Sequence, residues 1–177
     1  MVHIKTEDQV KLMQEAALLV SKTLTQVATI LKPGMSTLDV DQFCMQFVKD
    51  HNATLSFYNY HGYPHNICAS VNDVVVHGFP NKTPLKEGDI VSIDLGVVLN
   101  GWHGDHAYTF ILGDVAPDIL QLVKVTKESL YKGIEKATGK MEKVLADIDK
   151  VIIEKNAGSG VVPYLPLPEL GKKKASN

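Results

Sequence analysis

The sequence is poor in the features that stabilise secreted proteins or anchor a chain in a membrane. It has only two cysteines, Cys44 and Cys68, which are too few for a disulfide framework and do not have the spacing of a zinc knuckle. The N-terminal residues lack the apolar run of a signal peptide, and no stretch is apolar for long enough to span a bilayer. We therefore expect a chain that works in a reducing cytoplasm.

An excess of charge of either sign is also missing. The 18 Lys and Arg residues nearly cancel the 20 Asp and Glu residues, so the composition does not favour binding to nucleic acid or to an anionic membrane. Hydrophobic residues make up 45% of the 177 residues, which is enough to bury a core. This length favours one domain or two small lobes.

Helical periodicity dominates the first part of the chain. Apolar residues recur at steps of three and four over residues 6–31, which predicts an amphipathic helix. Thr6 and Gln9 have the spacing of a capping box at its start. A second helix is predicted to begin at Ser36 or Thr37.

The middle of the chain, residues 54–112, has a different pattern. Short β-branched runs are broken there by glycine, proline and asparagine, which is typical of strands and hairpins. Strands are predicted at Val74–Val76, Ile90–Leu99 and Ala107–Leu112.

Helical periodicity returns over residues 117–136 and 140–155. After a shift of 104 positions these two helices align with the first two, so that Leu18 meets Leu122. A duplicated α+β unit would explain the alignment, although two unrelated pairs of amphipathic helices would also share some apolar positions. The residues from 161 onward contain three prolines and are not expected to supply a second set of strands.

A hairpin is predicted around Asn100-Gly101, because a type I′ turn needs positive φ at both central residues. In that register Asp94 and Asp105 are diagonal neighbours on one face, and Gly96 would leave space between them. Two carboxylates this close repel each other unless one is protonated or cations lie between them. The pair therefore suggests a site for two divalent ions, although isolated aspartates in strands also commonly face solvent or cap a bulge.

Four histidines are less informative. His103 falls on the same predicted face, opposite Val98, and could also be an ordinary surface residue. His106 points to the other face and is expected to be solvated, and His51 and His65 are expected at the surface.

Three segments resemble the type I methionine aminopeptidases, which have the pita-bread fold of two related α+β halves with a dimetal site between them. The segments are YHGYPHNICASVNDVVVHGFP (60–80), LKEGDIVSIDLGVVLNGWHGDHAYTF (85–110) and VTKESLY (125–131). The resemblance runs from about residue 4 to about residue 157. It implies a pita-bread fold with a complete first half and a truncated second half, in a single domain over 1–177. Within it, residues 1–115 form the first half, 116–160 the helices of the second half and 161–177 an irregular tail.

The resemblance also implies roles for individual residues. Asp94 would bind one metal and Asp105 would bridge both, whereas the catalytic candidate His77 would contact the amino end or scissile amide of the substrate. The implied metals are Co²⁺, Mn²⁺, Fe²⁺ or Zn²⁺, which ligand type alone does not rank. The side chains implied to line a methionine pocket are His61, His77, Tyr58, Tyr63 and Cys68, with Phe57 nearby. Tyr58 and Phe57 could also be core residues, and Cys68 a small buried hydrophobe.

The second half of the sequence departs from the family. Members take three further ligands there: a histidine in a Gly-His-Gly turn and two glutamates, one of which is the general base. All seven histidines of this chain lie at or before His106, and Glu169 has no matching context. Two of five expected ligands are therefore present. We expect a C-terminally truncated or disrupted chain, through a frame change, engineering or divergence.

Two functions remain as alternatives. The first is a methionine aminopeptidase that removes the N-terminal methionine of nascent proteins, with weak metal binding and with little or no activity as this chain alone. The second is an inactive remnant, or a non-catalytic module of the same fold that binds peptides or proteins. The expected partners are peptides or nascent chains with N-terminal methionine, the ribosome and, through an exposed sheet, further copies of the chain.

Overall fold

The structure, a computed structural model, describes residues 4–147. The chain divides into two compact units between Leu120 and Gln121. The predicted tail and Glu169 lie outside the described residues, and the single-domain organisation stays a prediction.

Two helices open the first unit, as the sequence predicts. Helix α1 is Glu7–Ile30, and its capping box joins Thr6 and Gln9 through two side-chain to backbone hydrogen bonds of 3.0 and 3.3 Å. Helix α2 is Thr37–Asp50, and Ser36 is its N-cap residue. A cap of this kind satisfies backbone N–H groups that the first helical turn leaves without partners.

The strands of the first unit form one antiparallel sheet. Strand β3 is central: it pairs with β4 along one edge, and with β1 and β2 in turn along the other. The strands are β1 (Thr54–Leu55), β2 (Cys68–Val71), β3 (Ile90–Leu99) and β4 (Trp102–Ile111).

The predicted hairpin and its register are confirmed. Strands β3 and β4 are joined at Asn100 and Gly101, whose φ values of 52° and 79° are those that a primed turn needs. Leu99 pairs with Trp102 at the turn. This register fixes which side chains of the two strands share a face.

The predicted strand at Val74–Val76 is wrong. These residues lie in an irregular segment, and Val75 is 88% exposed. The strand in this region is β2, which pairs with β3, and the chain then turns at Asn72, where φ is 52°. It returns beside β2, where the Ala69 N–H donates to the Gly78 carbonyl over 2.8 Å. β-Branched residues alone therefore did not locate the strand, because pairing with a buried neighbour decides it.

The core lies between the two helices and one face of the sheet. Alternate residues of β3 point into it and are inaccessible to solvent, as are residues of both helices: Val91, Ile93, Leu95, Val97, Val20, Val27, Val40 and Cys44. Helix α1 packs closely on β4 at Gly104, where an added Cβ would lie 2.5 Å from the backbone nitrogen of Ala17. The opposite face of β3 carries Ser92, Asp94 and Gly96.

Helix α3, Pro117–Asp147, continues from the end of the first unit through the described part of the second. The prediction of separate helices at 117–136 and 140–155 is therefore wrong as far as residue 147. Gly139 lies inside the helix, because a single glycine costs only about 1 kcal/mol relative to alanine and does not by itself end a helix. Within residues 4–147 no helix has the length and apolarity to cross a membrane.

Candidate functional site

The site is built on the sheet face opposite α1 and α2. Asp94 pairs with Ala107 and Asp105 pairs with Gly96, so the two aspartates are diagonal neighbours on that face. Diagonal positions of this kind lie roughly 7–8 Å apart along the backbone. The predicted space over Gly96 is not empty, because an added Cβ there would lie 2.9 Å from Ser56 Oγ and 3.1 Å from Phe57 Cε1.

Both carboxylates are harder to ionise than free aspartate. Burial and the neighbouring Asp105 raise the pKa of Asp94, and His77 partly opposes this. Burial also raises the pKa of Asp105, against the opposing effects of His106 and His103. Within the described part of the chain no hydrogen bond reaches either carboxylate side chain. A cation beside them would remove this penalty, because it favours the ionised form of both groups.

This donor set fits part of a metal site. Carboxylate oxygens are suitable ligands for divalent cations, and Asp94 and Asp105 present them on one face. Among residues 4–147, however, no group of three or more His, Cys, Asp or Glu side chains comes together as a metal site would require. The pair can therefore bind a cation only with most of its coordination positions filled by water or by groups outside the described residues.

An open cleft of about 670 Å³ adjoins Asp94. Its walls are mainly aromatic, with a carboxylate, a thiol and two imidazoles as the polar groups. Such a concave, largely apolar site with a few polar groups is typical of a site for a small ligand or a side chain. The lining residues are Phe57, Tyr60, His61, Gly62, Tyr63, Pro64, Cys68, His77, Phe79 and Asp94.

Two histidines of the cleft have left-handed backbone conformations. His61 lies in the short turn Tyr60–Gly62 with φ of 48°, and its ring contacts the ring of Tyr60 at 4.4 Å between centroids. His77, which follows the wrongly predicted strand Val74–Val76 directly, has φ of 55° and lies in a loop. A left-handed residue other than glycine costs of order 1 kcal/mol and often marks a functional site.

Tyr63 and Cys68 line the cleft next to Asp94. The Tyr63 hydroxyl donates to the Ile67 carbonyl over 2.9 Å, and Cys68, which is 6% exposed, pairs across the sheet with Asp94. Burial raises the pKa of both groups. Cys68 is thus both a buried small residue and part of the cleft wall, so its two predicted roles are compatible.

The structure does not bring Tyr58 into the cleft. Its side chain is 56% exposed, so it is not a core residue either. His51 lies at the surface as predicted, with Nδ1 2.8 Å from the Phe47 carbonyl oxygen. His65 is partly exposed, and its ring lies 5.9 Å from the ring of Phe79 between centroids.

The histidines of β4 lie on opposite faces. His103 is exposed beside Ser56, with 3.1 Å between Nδ1 and Oγ, on the face that the register predicts. His106 is on the core face opposite Leu95, and burial lowers its pKa. The prediction that His106 is solvated is therefore wrong.

One residue near the cleft was missed. Asp41 is 4% exposed and accepts hydrogen bonds from the backbone N–H groups of Asn66 and Ile67 at 2.8 and 3.0 Å. The sequence could have indicated its burial, because Asp41 lies on the same face of the predicted helix as the apolar residues Val40 and Cys44. A carboxylate in an apolar stripe needs a specific partner to offset its desolvation.

Comparison with known proteins gives the class to which this fold belongs. The chain belongs to metallopeptidase family M24, whose sequence profile matches residues 11–165. Within that class it is similar to methionine aminopeptidases. That of Clostridium acetobutylicum is 42% identical over 165 residues, which are 92% of this chain and 65% of that protein. Methionine aminopeptidase 1 of Bacillus subtilis is 44% identical over 137 residues, 77% of this chain and 55% of that protein.

The solved structures agree. The crystal structure of methionine aminopeptidase from Rickettsia prowazekii superposes with a TM-score of 0.74 and 42% identity, over 76% of this chain and 54% of that chain. The predicted α+β, pita-bread architecture and the family resemblance are confirmed by this likeness. In each of these three comparisons the chain spans less than two thirds of the relative's length.

Proposed function

We propose that this chain recognises the N-terminal methionine of a peptide and contributes two carboxylates to the metal site of a methionine aminopeptidase. The observation that carries the proposal is the position of Asp94, which belongs both to the carboxylate pair and to the border of the aromatic cleft. The names of the relatives supply the reaction. The geometry supports it, because a peptide's amino end and its first side chain need adjacent acidic and apolar surfaces.

The residues divide into two groups with different roles. Asp94 and Asp105 would hold divalent cations, of which Co²⁺, Mn²⁺, Fe²⁺ and Zn²⁺ are the candidates. When bound, such ions polarise the peptide carbonyl and lower the pKa of a coordinated water towards neutrality. The second group would bind the substrate: Tyr63, Cys68 and His61 line the cleft and would contact the methionine side chain.

His77 and Asp94 would orient the reacting end of the peptide. Both border the cleft, so a methionine side chain inserted there brings its own amine and amide towards them. The Asp94 carboxylate attracts the free ammonium group, and the imidazole of His77 hydrogen-bonds the scissile amide. These two contacts fix the direction in which the peptide enters.

Activity of the 177-residue chain by itself is expected to be very low. It has no histidine after His106, and the carboxylate pair has no third ligand among residues 4–147. Loss of a general base alone typically costs about 10²–10⁴-fold in rate. Fewer ligands also weaken metal binding, which lowers the rate further.

Binding without catalysis is the second candidate function. It is favoured by the contrast between the open cleft and a ligand set that is incomplete among residues 4–147. In that case recognition of a methionyl peptide would persist when all metal is removed. Association with the ribosome and a cytoplasmic location stay predictions.

The peptide Met-Ala-Ser tests these proposals. Calorimetry should detect its binding to the chain with excess Mn²⁺, and Gly-Ala-Ser should bind more weakly because it leaves the cleft unfilled. Turnover should stay close to that of a His77→Ala control, which corrects for contaminating host enzyme. Equal affinity for the two peptides would exclude the methionine pocket.

Two further results would separate the candidates. Robust turnover that His77→Ala abolishes would mean that other groups complete the site, and Glu169 or a second subunit would be tested first. Binding of Met-Ala-Ser that is unchanged in EDTA would favour the module that binds without catalysis.

A further inference from the structure

Six of the ten residues that line the cleft lie on one segment, residues 57–64, between β1 and β2. The segment is irregular and includes left-handed residues at Asn59 and His61. At its start, the Ser56 N–H donates to the Gly96 carbonyl of β3 over 2.8 Å. The position of these six lining residues therefore depends on how the C-terminal end of the segment is held.

That end is held by Asp41 of α2. Its Oδ1 accepts from the Asn66 and Ile67 backbone N–H groups, and its Oδ2 accepts from Asn66 Nδ2 over 2.8 Å. No ion pair to Asp41 occurs in the described part of the chain. These three donors are thus what offsets burial of the carboxylate, and bonds to a charged acceptor are among the stronger hydrogen bonds in proteins.

The hydrogen bonds continue from Asp41 to the cleft. Ile67, whose N–H is bound by Asp41, accepts at its carbonyl from the Tyr63 hydroxyl over 2.9 Å. The same hydroxyl lies 3.4 Å from the carbonyl oxygen of Gly78, the residue after His77. Cys68 directly follows Ile67 and pairs with Asp94. A displacement at Asp41 would therefore move Tyr63 and Cys68, both of which line the cleft.

We propose that Asp41 is a positioning residue for the substrate pocket: its buried carboxylate fixes Asn66 and Ile67, and through them the placement of Tyr63 and Cys68. The inference rests on the proposed function for what the pocket binds, but the positioning itself does not depend on it. An apolar residue at this position of α2 would pack without a desolvation cost, so the carboxylate is explained by the segment that it holds.

The side-chain bond allows a specific test by exchange. Asp41→Asn keeps an acceptor for the two backbone N–H groups, and Asn66 can rotate its amide to accept from the new Nδ2, so this variant loses mainly the charge. Asn66→Asp alone places two carboxylates together. The double variant Asp41→Asn/Asn66→Asp restores one donor and one acceptor, with the backbone N–H groups still facing an oxygen of residue 41. Asp39→Asn is the matched control, because Asp39 lies on the same helix but accepts only from Ser36.

The rate at which the Cys68 thiol is labelled measures how well the pocket is held, and it does not require catalysis. The intact 177-residue chain would be labelled with N-ethylmaleimide and the modified cysteine identified by mass spectrometry; Cys44 is fully buried and serves as an internal measure of global unfolding. Asn66→Asp should raise the labelling rate of Cys68 by at least about tenfold, the change expected for the loss of one hydrogen bond to a charged group. The double variant should return the rate to within about threefold of the wild type.

Several results would overturn the proposal: a Cys68 rate in Asn66→Asp within twofold of the wild type, an equal rise in Asp39→Asn, or a double variant no better than Asn66→Asp. If Asn66→Asp exposes Cys44 equally, the contact between Asp41 and Asn66 stabilises the whole unit and is not specific to the pocket. Protection of Cys68 by the dipeptide Met-Ala is a separate measurement. Its failure in the wild type would count against the methionine pocket and leave the comparison of labelling rates intact.

Discussion

Replacement of Asp105 by asparagine should stabilise the metal-free protein. Asp94 and Asp105 share one face as diagonal neighbours, and no hydrogen bond within the described residues reaches either side chain. Asn is close in size to Asp and removes one of the two like charges. The gain follows from the loss of the repulsion that Asp105 exerts on the half-buried Asp94.

The expected gain is about 1 kcal/mol. At about 7 Å two unit charges repel by roughly 0.6 kcal/mol in water and roughly 2.4 kcal/mol at an effective dielectric constant of about 20. Asp105 is exposed and Asp94 half-buried, so a value between these limits is appropriate. Because both pKa values lie above the ordinary 3.8, the folded state binds more protons than the unfolded state. The stability of the wild type should therefore fall as the pH rises from 3.8 through the folded pKa values, and less so in Asp105→Asn.

Urea unfolding in EDTA at neutral pH measures this difference. Asp89→Asn is the control of opposite sign: hydrogen bonds from Asn72 Nδ2 and the Lys86 N–H lower the pKa of Asp89, so its loss should destabilise. With free Mn²⁺ at ten times its Kd the wild type should gain about 1.4 kcal/mol, and Asp105→Asn should gain less. A neutral or destabilising Asp105→Asn in EDTA would refute the repulsion, and equal gains from Mn²⁺ would refute the shared metal site.

Two further predictions concern packing and association. Gly104→Ala should lower the free energy of unfolding by about 3 kcal/mol or more, because the new methyl group meets the backbone of Ala17. Gly133→Ala is the control: Gly133 lies on an exposed part of α3 with open space around it, so this variant should be neutral or slightly stabilising in the same assay. The chain should self-associate at high concentration. The side chains of Val75 and Val76 are exposed, and the outer edge of β4 has no strand partner within residues 4–147. A single monomer boundary in sedimentation velocity at every concentration would contradict this.

The parts of the fold that the sequence predicts well are those decided by local rules. The capping residues begin α1 and α2 where expected, and the turn residues Asn100 and Gly101 fix the hairpin register. That register is sufficient to place Asp94 and Asp105 on one face. Each of these features depends on residues that are close in the chain, for which patterns of spacing are sufficient.

The parts that it predicts poorly depend on distant partners. Val74–Val76 has the composition of a strand, but β2 lies at Cys68–Val71 because those residues pair with β3. Tyr58 is adjacent to cleft residues in the chain and yet does not line the cleft. The role of Asp41 depends on Asn66, which is 25 positions further along the chain. Composition and periodicity do not contain such pairings.

The hairpin has a consequence for the order in which the molecule is assembled. Both carboxylates lie between Ile90 and Ile111 on two strands joined by a two-residue turn, and an isolated hairpin forms in about 1–10 μs. The contact of Gly104 with α1 instead joins residues 87 positions apart, and loop closure over such distances is slower. The charged pair can thus come together early, while its mutual repulsion opposes strand pairing. A divalent cation bound at that stage would favour the paired strands, and so would act on folding as well as on the finished protein.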